Sequence, residues 1–208
     1  VAFVHSDVAL LIGKCLGGWT SAAMNSYLRR LYGRFDLVLA PSCGLAKRLR
    51  GCGVERVEVQ PLGVDDRTFN PDRNDPNLRP DLGLRPETRL LIFAGRMSPE
   101  KRIPLLRSAI EELGPRYHLL LVGGPVFERI SAQVTAIPYQ HDNARLARLL
   151  ASADALVHAG EWETFGLVIL EAMACAVDLP TVGATSVRSD PTLADMRRLA
   201  DYLKLVWN

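Results

Sequence analysis

Short apolar runs recur along this chain, and each is followed by a segment whose apolar residues are spaced as on a helix. Val1–Val4, Asp36–Ala40, Val57–Gln60, Arg89–Ala94, Tyr117–Val122 and Asp154–His158 read as strands, with weaker ones at Val134–Ile137 and Thr181–Val182. The longer runs are continuous rather than alternating, the pattern of strands covered on both faces. Helices are predicted over Ser21–Tyr32, Ser42–Arg50, Ser98–Leu113, Asn143–Ser152, Gly166–Cys175 and Thr192–Val206. Ser42 is placed to cap its helix, and Ser98 with Pro99 is placed to open another. Strands alternating with helices specify an α/β fold with a mostly parallel, Rossmann-like sheet.

Length limits how many such sheets fit. Two complete doubly wound domains need about 300 residues, and this chain has 208. Composition shifts once, between Asn70 and Pro86, where Pro71, Pro76, Pro80 and Pro86 occur among many charges. Residues 71–88 are therefore read as a linker, residues 1–70 as part of one domain, and residues 89–208 as a second domain. Val1 opens inside strand-like sequence, as expected of the interior of a longer protein.

Several function classes drop out. A net charge of +2 gives no basis for nucleic-acid binding. Cys15, Cys43, Cys52 and Cys175 form no C-x-x-C pair, so neither a disulfide framework nor a structural zinc site is expected, and a reducing, cytoplasmic compartment fits. No G-x-G-x-x-G opens a helix and no metal-ligand cluster is visible, so no cofactor and no metal are expected. Apolar runs such as Val8–Ile12 are far short of a membrane span. Arg29, Arg30, Arg34, Lys47, Arg48 and Arg50 are either solvated helix faces or a basic face in weak contact with the inner surface of a membrane.

Ligands of open parallel sheets bind beyond the carboxyl ends of strands, and two loops there carry suitable groups. After Arg89–Ala94 comes Gly95-Arg96-Met97-Ser98-Pro99-Glu100-Lys101. Two cations beside a helix N-terminus suit a diphosphate; the competing reading makes Arg96 and Lys101 surface charges. After Asp154–His158 comes Gly160-Glu161-Trp162-Glu163-Thr164-Phe165-Gly166, and Glu171 follows within an apolar helix. A carboxylate there needs donors, either a ribose diol or a structural partner of the protein itself. His5 ends the first strand beside Ser6 and Asp7, an arrangement that suggests a nucleophile triad, but no nucleophile elbow accompanies it and the competing reading is a structural or surface histidine. Gly123-Gly124 is a strand stop or a phosphate turn.

Together the two loops resemble the donor site of the retaining GT-B glycosyltransferases of family 4. The E-x7-E motif of that family matches Glu163-Thr164-Phe165-Gly166-Leu167-Val168-Ile169-Leu170-Glu171, and its diphosphate-binding Arg and Lys match Arg96 and Lys101. Pro61-Leu62-Gly63-Val64-Asp65 and Phe69-Asn70-Pro71 resemble the end of the family's N-terminal, acceptor-side domain. The resemblance implies sugar transfer, with retention, from a UDP- or GDP-sugar to a hydroxyl of a lipid or saccharide. Arg96 and Lys101 would neutralise the departing diphosphate. Glu163, with backbone N–H groups of Phe165, Gly166 and Leu167, would hold the sugar; Glu171 would hold the ribose; His5 would lie near the reacting carbon. Gly95 would let the backbone approach the phosphates. The sequence departs from the family after Cys175, where Ala176–Gly183 carries two extra residues and no Gly-Gly loop follows.

Overall fold

The computed structural model describes residues 1–5, 20–160 and 165–177. The predicted elements at Thr181–Val182 and Thr192–Val206 lie outside these. The chain forms two compact units, Val1–Gly63 and Val64 onward, with Phe165 and Gly166 grouped with the first.

In the first unit, β1 (Ala2–Phe3), α1 (Thr20–Tyr32), β2 (Val38–Ala40), α2 (Cys43–Gly51) and β3 (Val57–Val59) follow the expected alternation. The strands pair in parallel in the order β1-β2-β3. Val38, Ala40, Leu45, Ala46, Leu49, Val54 and Val57 form the core, with Val4. Ser42 caps α2 as expected, its hydroxyl accepting the Leu45 N–H at 3.3 Å.

The second unit begins before the predicted domain. A single 3-10 turn, Pro71–Arg73, and the short helix α3 (Leu78–Asp81) occupy the stretch read as a linker. Leu82 is buried in the second core beside Phe69, and Leu78 and Leu84 pack against it, so residues within this stretch are packed. Its few apolar residues face inward, which the proline and charge content concealed.

The remaining elements are β4 (Arg89–Ala94), a 3-10 turn (Pro99–Lys101), α4 (Ile103–Leu113), β5 (Tyr117–Gly124), β6 (Glu128–Ser131), β7 (Val134–Pro138), α5 (Asn143–Ala151), β8 (Ala155–Leu156) and α6 (Leu167–Ala174). Among the described residues the sheet order is β6-β7-β5-β4-β8, parallel except for the β6–β7 pair. Leu90, Ile92 and Ala94 face α5 and α6, while Leu91 and Phe93 face α4. β4 is therefore covered on both sides, as its unbroken apolar run requires.

The predicted helix Ser98–Leu113 is interrupted. Pro99–Lys101 forms a 3-10 turn, Arg102 adopts a left-handed backbone (φ 52°), and the α-helix starts only at Ile103. Pro104 explains the break. In a helix begun at residue 99 its ring would press on the Glu100 carbonyl and it would lack an N–H to donate there; in the first turn of α4 neither matters. Lys101 thus stands in the turn before the helix and not in its first turn. The closing end of α4 is fastened by Gln133, whose amide donates to the carbonyls of Ile110 (3.0 Å) and Gly114 (2.5 Å).

His118 of β5 is fully buried and lies 3.0 Å (Nε2 to Oγ1) from Thr135 of β7. Burial, aided by the Arg129 charge, pushes its pKa down to about 4. The folded state therefore holds it neutral. The stability this contributes is complete above the unfolded value near 6.5 and is lost as pH falls from there towards 4. A shift of this size is worth roughly 3 kcal/mol. In urea titrations, the wild type should lose more stability over this pH window than His118→Gln, and parallel curves would contradict the assignment.

Candidate functional site

The topology of the second unit creates one crevice. β4 and β8 are adjacent and parallel, with Leu91 opposite Ala155 and Ile92 opposite Leu156. The chain leaves β4 for α4 on one face of the sheet and reaches α6, after β8, on the other. Adjacent strands whose following helices part to opposite faces leave an opening at their carboxyl ends, where ligands of open α/β sheets bind. The two loops singled out in the sequence are the two that follow β4 and β8.

These loops converge. A Cβ placed on Gly160, beyond β8, would lie 3.3 Å from the carbonyl oxygen of Glu100 in the β4 loop, and 2.6 Å from His158 Cε1. The Gly160 N–H meets His158 Nδ1 at 3.2 Å, and the buried imidazole stacks on Phe93 at 6.0 Å between centroids. Gly123-Gly124 is part of β5 and not a separate phosphate turn. Its place in the site is steric. A Cβ on Gly123 would stand 1.9 Å from the Gly95 carbonyl oxygen, so only glycine lets the β4 loop cross the end of β5 this closely.

Within the β4 loop the Ser98 hydroxyl meets Glu100 at 2.5 Å. That hydrogen bond holds the Glu100 carboxyl below its ordinary pKa, with help from the charges of Arg96 and Lys101. Arg96 is 77% exposed and its guanidinium reaches Glu100 only at 4.0 Å. A pair this long and exposed contributes little, so Arg96 can exchange Glu100 for an incoming anion. Lys101 and Arg102 follow in the same turn, half-buried.

On the other side, Glu171 stands one turn into α6 and is half-buried. Burial raises its pKa above the usual carboxylate value. Among the described residues no hydrogen bond reaches this carboxylate. Cys175, one turn later, has its thiol pushed up to about 11 by burial and by the Glu171 charge. Leu167 is the exposed first residue of α6, and the buried Gly166 before it has φ 79°.

The structure thus brings Gly95, Arg96 and Lys101 together in one loop, and places Glu171 and Leu167 on the helix that follows the neighbouring strand. Glu163 lies outside the described residues. His5 belongs to the first unit, exposed at the end of β1, with its ring 4.6 Å from that of Phe3. Phe165 and Gly166 are grouped with that unit as well. Sequence reasoning missed Arg102, the left-handed residue that ends the β4 loop; Pro104 two residues on was the available signal. Among the described residues no group of three metal-ligating side chains occurs, and no helix is long and apolar enough to cross a membrane.

Comparison with known proteins gives the family and the fold. The family model described as glycosyl transferases group 1 matches residues 74–183. The chain is 33% identical over 189 residues to sulfoquinovosyl transferase SQD2 of Arabidopsis thaliana, covering 86% of this chain and 36% of that protein. It is 34% identical over 183 residues to a GDP-mannose-dependent alpha-mannosyltransferase of Mycolicibacterium smegmatis, covering 85% and 47%. Among solved structures, Anabaena HepE in complex with UDP and glucose superposes with a TM-score of 0.77 at 21% identity, over 98% of this chain and 60% of that one. Sucrose-phosphate synthase of Thermosynechococcus elongatus gives 0.74 at 21%, over 98% and 57%. These structural likenesses show the fold, that of GT-B glycosyltransferases. The chain spans between a third and a half of the length of the two curated relatives.

Proposed function

Because this chain belongs to the group 1 glycosyl transferases, we propose that its β4–β8 crevice binds a nucleoside-diphosphate sugar, UDP- or GDP-linked, and serves transfer of the sugar to a hydroxyl. The observation that carries this reading is the convergence of the Gly95–Lys101 loop with the end of β8 at the switch point of the sheet. The relative from Mycolicibacterium smegmatis is GDP-mannose-dependent and the Anabaena structure holds UDP, which supports a nucleotide donor without choosing the base.

The roles follow from charge and reach. Arg96 and Lys101 hold the diphosphate and neutralise the negative charge that grows on it as the glycosidic bond breaks. The Gly95 backbone admits the phosphates at close range. Glu171, half-buried and short of donors, accepts the ribose hydroxyls. Glu163 and the N–H groups of Phe165, Gly166 and Leu167 engage the sugar, and for His5 we keep the role that the resemblance to family 4 implies. We assign the reaction to the retaining family 4, with two fixed cations taking the place of a metal and no cofactor taking part. The acceptor is a lipid or saccharide hydroxyl. The basic residues of the first unit suit work at the inner face of a membrane, from a cytoplasmic location.

Titration of the chain with UDP and with GDP tests the donor site. At a hundred times Kd, binding stabilises the fold by about 2.7 kcal/mol and so raises Tm; no rise with either nucleotide would remove the donor-site reading. Binding without turnover of any nucleotide sugar would reduce the function to donor capture.

Glu171 offers a sharper test. Its raised pKa means that the ionised form is disfavoured by folding, so the free protein loses stability above the unfolded carboxylate value, and regains it as pH falls through the folded one. At pH 7, Glu171→Gln should raise the Tm of the free protein yet weaken UDP or GDP binding by roughly tenfold or more, the worth of a hydrogen bond to a charged group. A variant less stable at pH 7 with unchanged nucleotide affinity would make Glu171 a structural residue.

A further inference from the structure

The first unit carries an open groove of about 360 Å³ at the amino ends of β2 and β3, the sheet end opposite His5. The last turn of α1 supplies Arg29 and Tyr32, the loop from α1 to β2 supplies Arg34 and Asp36, and the loop from α2 to β3 supplies Gly53, Glu55 and Arg56. Gly53, at φ 87°, sets the position of one guanidinium. A Cβ there would stand 3.0 Å from Arg29 Cδ and 3.2 Å from its Nε, so the glycine lets the arginine lie along the backbone.

The groove is rich in free donors. Among the described residues no carboxylate pairs with Arg29 or Arg34. Arg56 touches Asp36 only at 3.8 Å, with both side chains exposed, a weak contact that an anion can replace. Burial raises the Tyr32 pKa, with the Tyr27 phenol adding to it, so the hydroxyl stays a donor. Three guanidinium forks match phosphate oxygens in geometry as well as in charge. Asp36 and Glu55 on the same walls accept hydroxyl protons. The surrounding unit reinforces the field: Val1–Gly63 holds eight Lys and Arg against four Asp and Glu, whereas the rest of the chain holds seventeen against nineteen.

We infer that this groove is a second ligand site, independent of the donor crevice, for a phosphoryl group carried on a hydroxylated body. Arg29, Arg34 and Arg56 take the phosphate; Asp36 and Glu55 take hydroxyls. A soluble sugar phosphate and the headgroup of an inositol lipid share this chemistry.

Two probes applied to the full chain test the site and distinguish its sources. Glucose 6-phosphate should shift the amide resonances of Gly33 and Gly53 saturably. Those two amides report on the groove itself, so phosphate binding near Arg96 is told apart. Vesicles of phosphatidylinositol in phosphatidylcholine should float the protein if the source is a headgroup. Either response should weaken at least tenfold in the doubly substituted Arg29→Ala, Arg34→Ala protein, and partly in Arg56→Ala. All three positions are exposed, so the fold is retained, which circular dichroism checks. Failure of both probes, or responses of equal strength in the double variant, would overturn the site whatever the nucleotide titrations show.

Discussion

Replacing Arg96 with alanine should lower turnover of the nucleotide sugar by about 10²–10³-fold, the typical loss when one pre-placed donor to a developing anion is removed. The effect on ground-state affinity should be smaller. Arg96 is well exposed in the free protein and reaches Glu100 only at 4.0 Å, so its charge is screened by water until a donor fills the crevice. In the proposed reaction, the full worth of the guanidinium appears when the leaving diphosphate gains charge between the loops. Arg96→Lys should recover part of the loss, because the charge remains while the fork that meets two oxygens does not. Steady-state kinetics with the preferred donor, alongside calorimetric titration of the released nucleotide, separates kcat from Kd. Equal and small changes in both would place Arg96 outside the reacting zone and leave Lys101 as the principal cation.

Asp154→Ala should destabilise the second unit by about 2–3 kcal/mol, the cost of leaving the donors of a half-buried, charged cluster without their acceptor. That is a large share of the roughly 5–15 kcal/mol that holds a domain folded. Asp154 sits just before β8 and its carboxylate collects three donors: Arg79 at 2.7 Å, the Leu90 N–H at 2.6 Å and Arg89 at 3.5 Å. Arg79 also donates to the Thr88 carbonyl at 2.5 Å. One carboxylate therefore ties α3, the entry to β4 and the entry to β8 together, and a second tie runs from the Asp75 N–H to Ser152 at 2.7 Å. Without Asp154 the Leu90 N–H loses its only side-chain acceptor in a dry sheet and Arg79 keeps a half-buried charge. Asp154→Asn keeps one acceptor oxygen and should lose about half as much. Urea unfolding measures both. A loss below about 1 kcal/mol for the alanine variant would reduce the cluster to a surface feature.

The strands were legible because burial on both faces writes itself as a run of apolar side chains. Leu90-Leu91-Ile92-Phe93 could form little else, and all four are fully buried. β6 was not legible. Glu128-Arg129-Ile130-Ser131 has neither an apolar run nor an exploitable alternation, and it is a strand only because β7 offers it an edge. The break before α4 could have been read from Pro104, but Ser98-Pro99 gave a stronger local signal of a helix start and it captured only the 3-10 turn. The packed residues in and beside the stretch read as a linker were hidden for a related reason. Phe69 and Leu82 are two apolar residues in a polar stretch, and their burial depends on the distant residues Leu90, Leu120 and Leu150 of the same core.

The candidate site divides in the same manner. By itself, the sequence singled out the two loops proposed for the site, since Gly95, Arg96 and Lys101 on one and Glu171 beyond the other are local patterns with local reasons. It determined the fold class too, because side-chain periodicity answers directly to whether a segment is covered on one face or two. Only the tertiary structure decided that β4 and β8 are neighbours, that the following helices part to opposite faces, and that Gly123 lets the first loop cross the end of β5. Strand order is set by packing between residues some sixty positions apart, Leu91 with Ala155, and no local preference encodes such a pairing. It likewise decided that Glu171 would be half-buried with no donor from the described residues, the physical condition that turns an acidic residue in an apolar helix into a group that a ligand can satisfy.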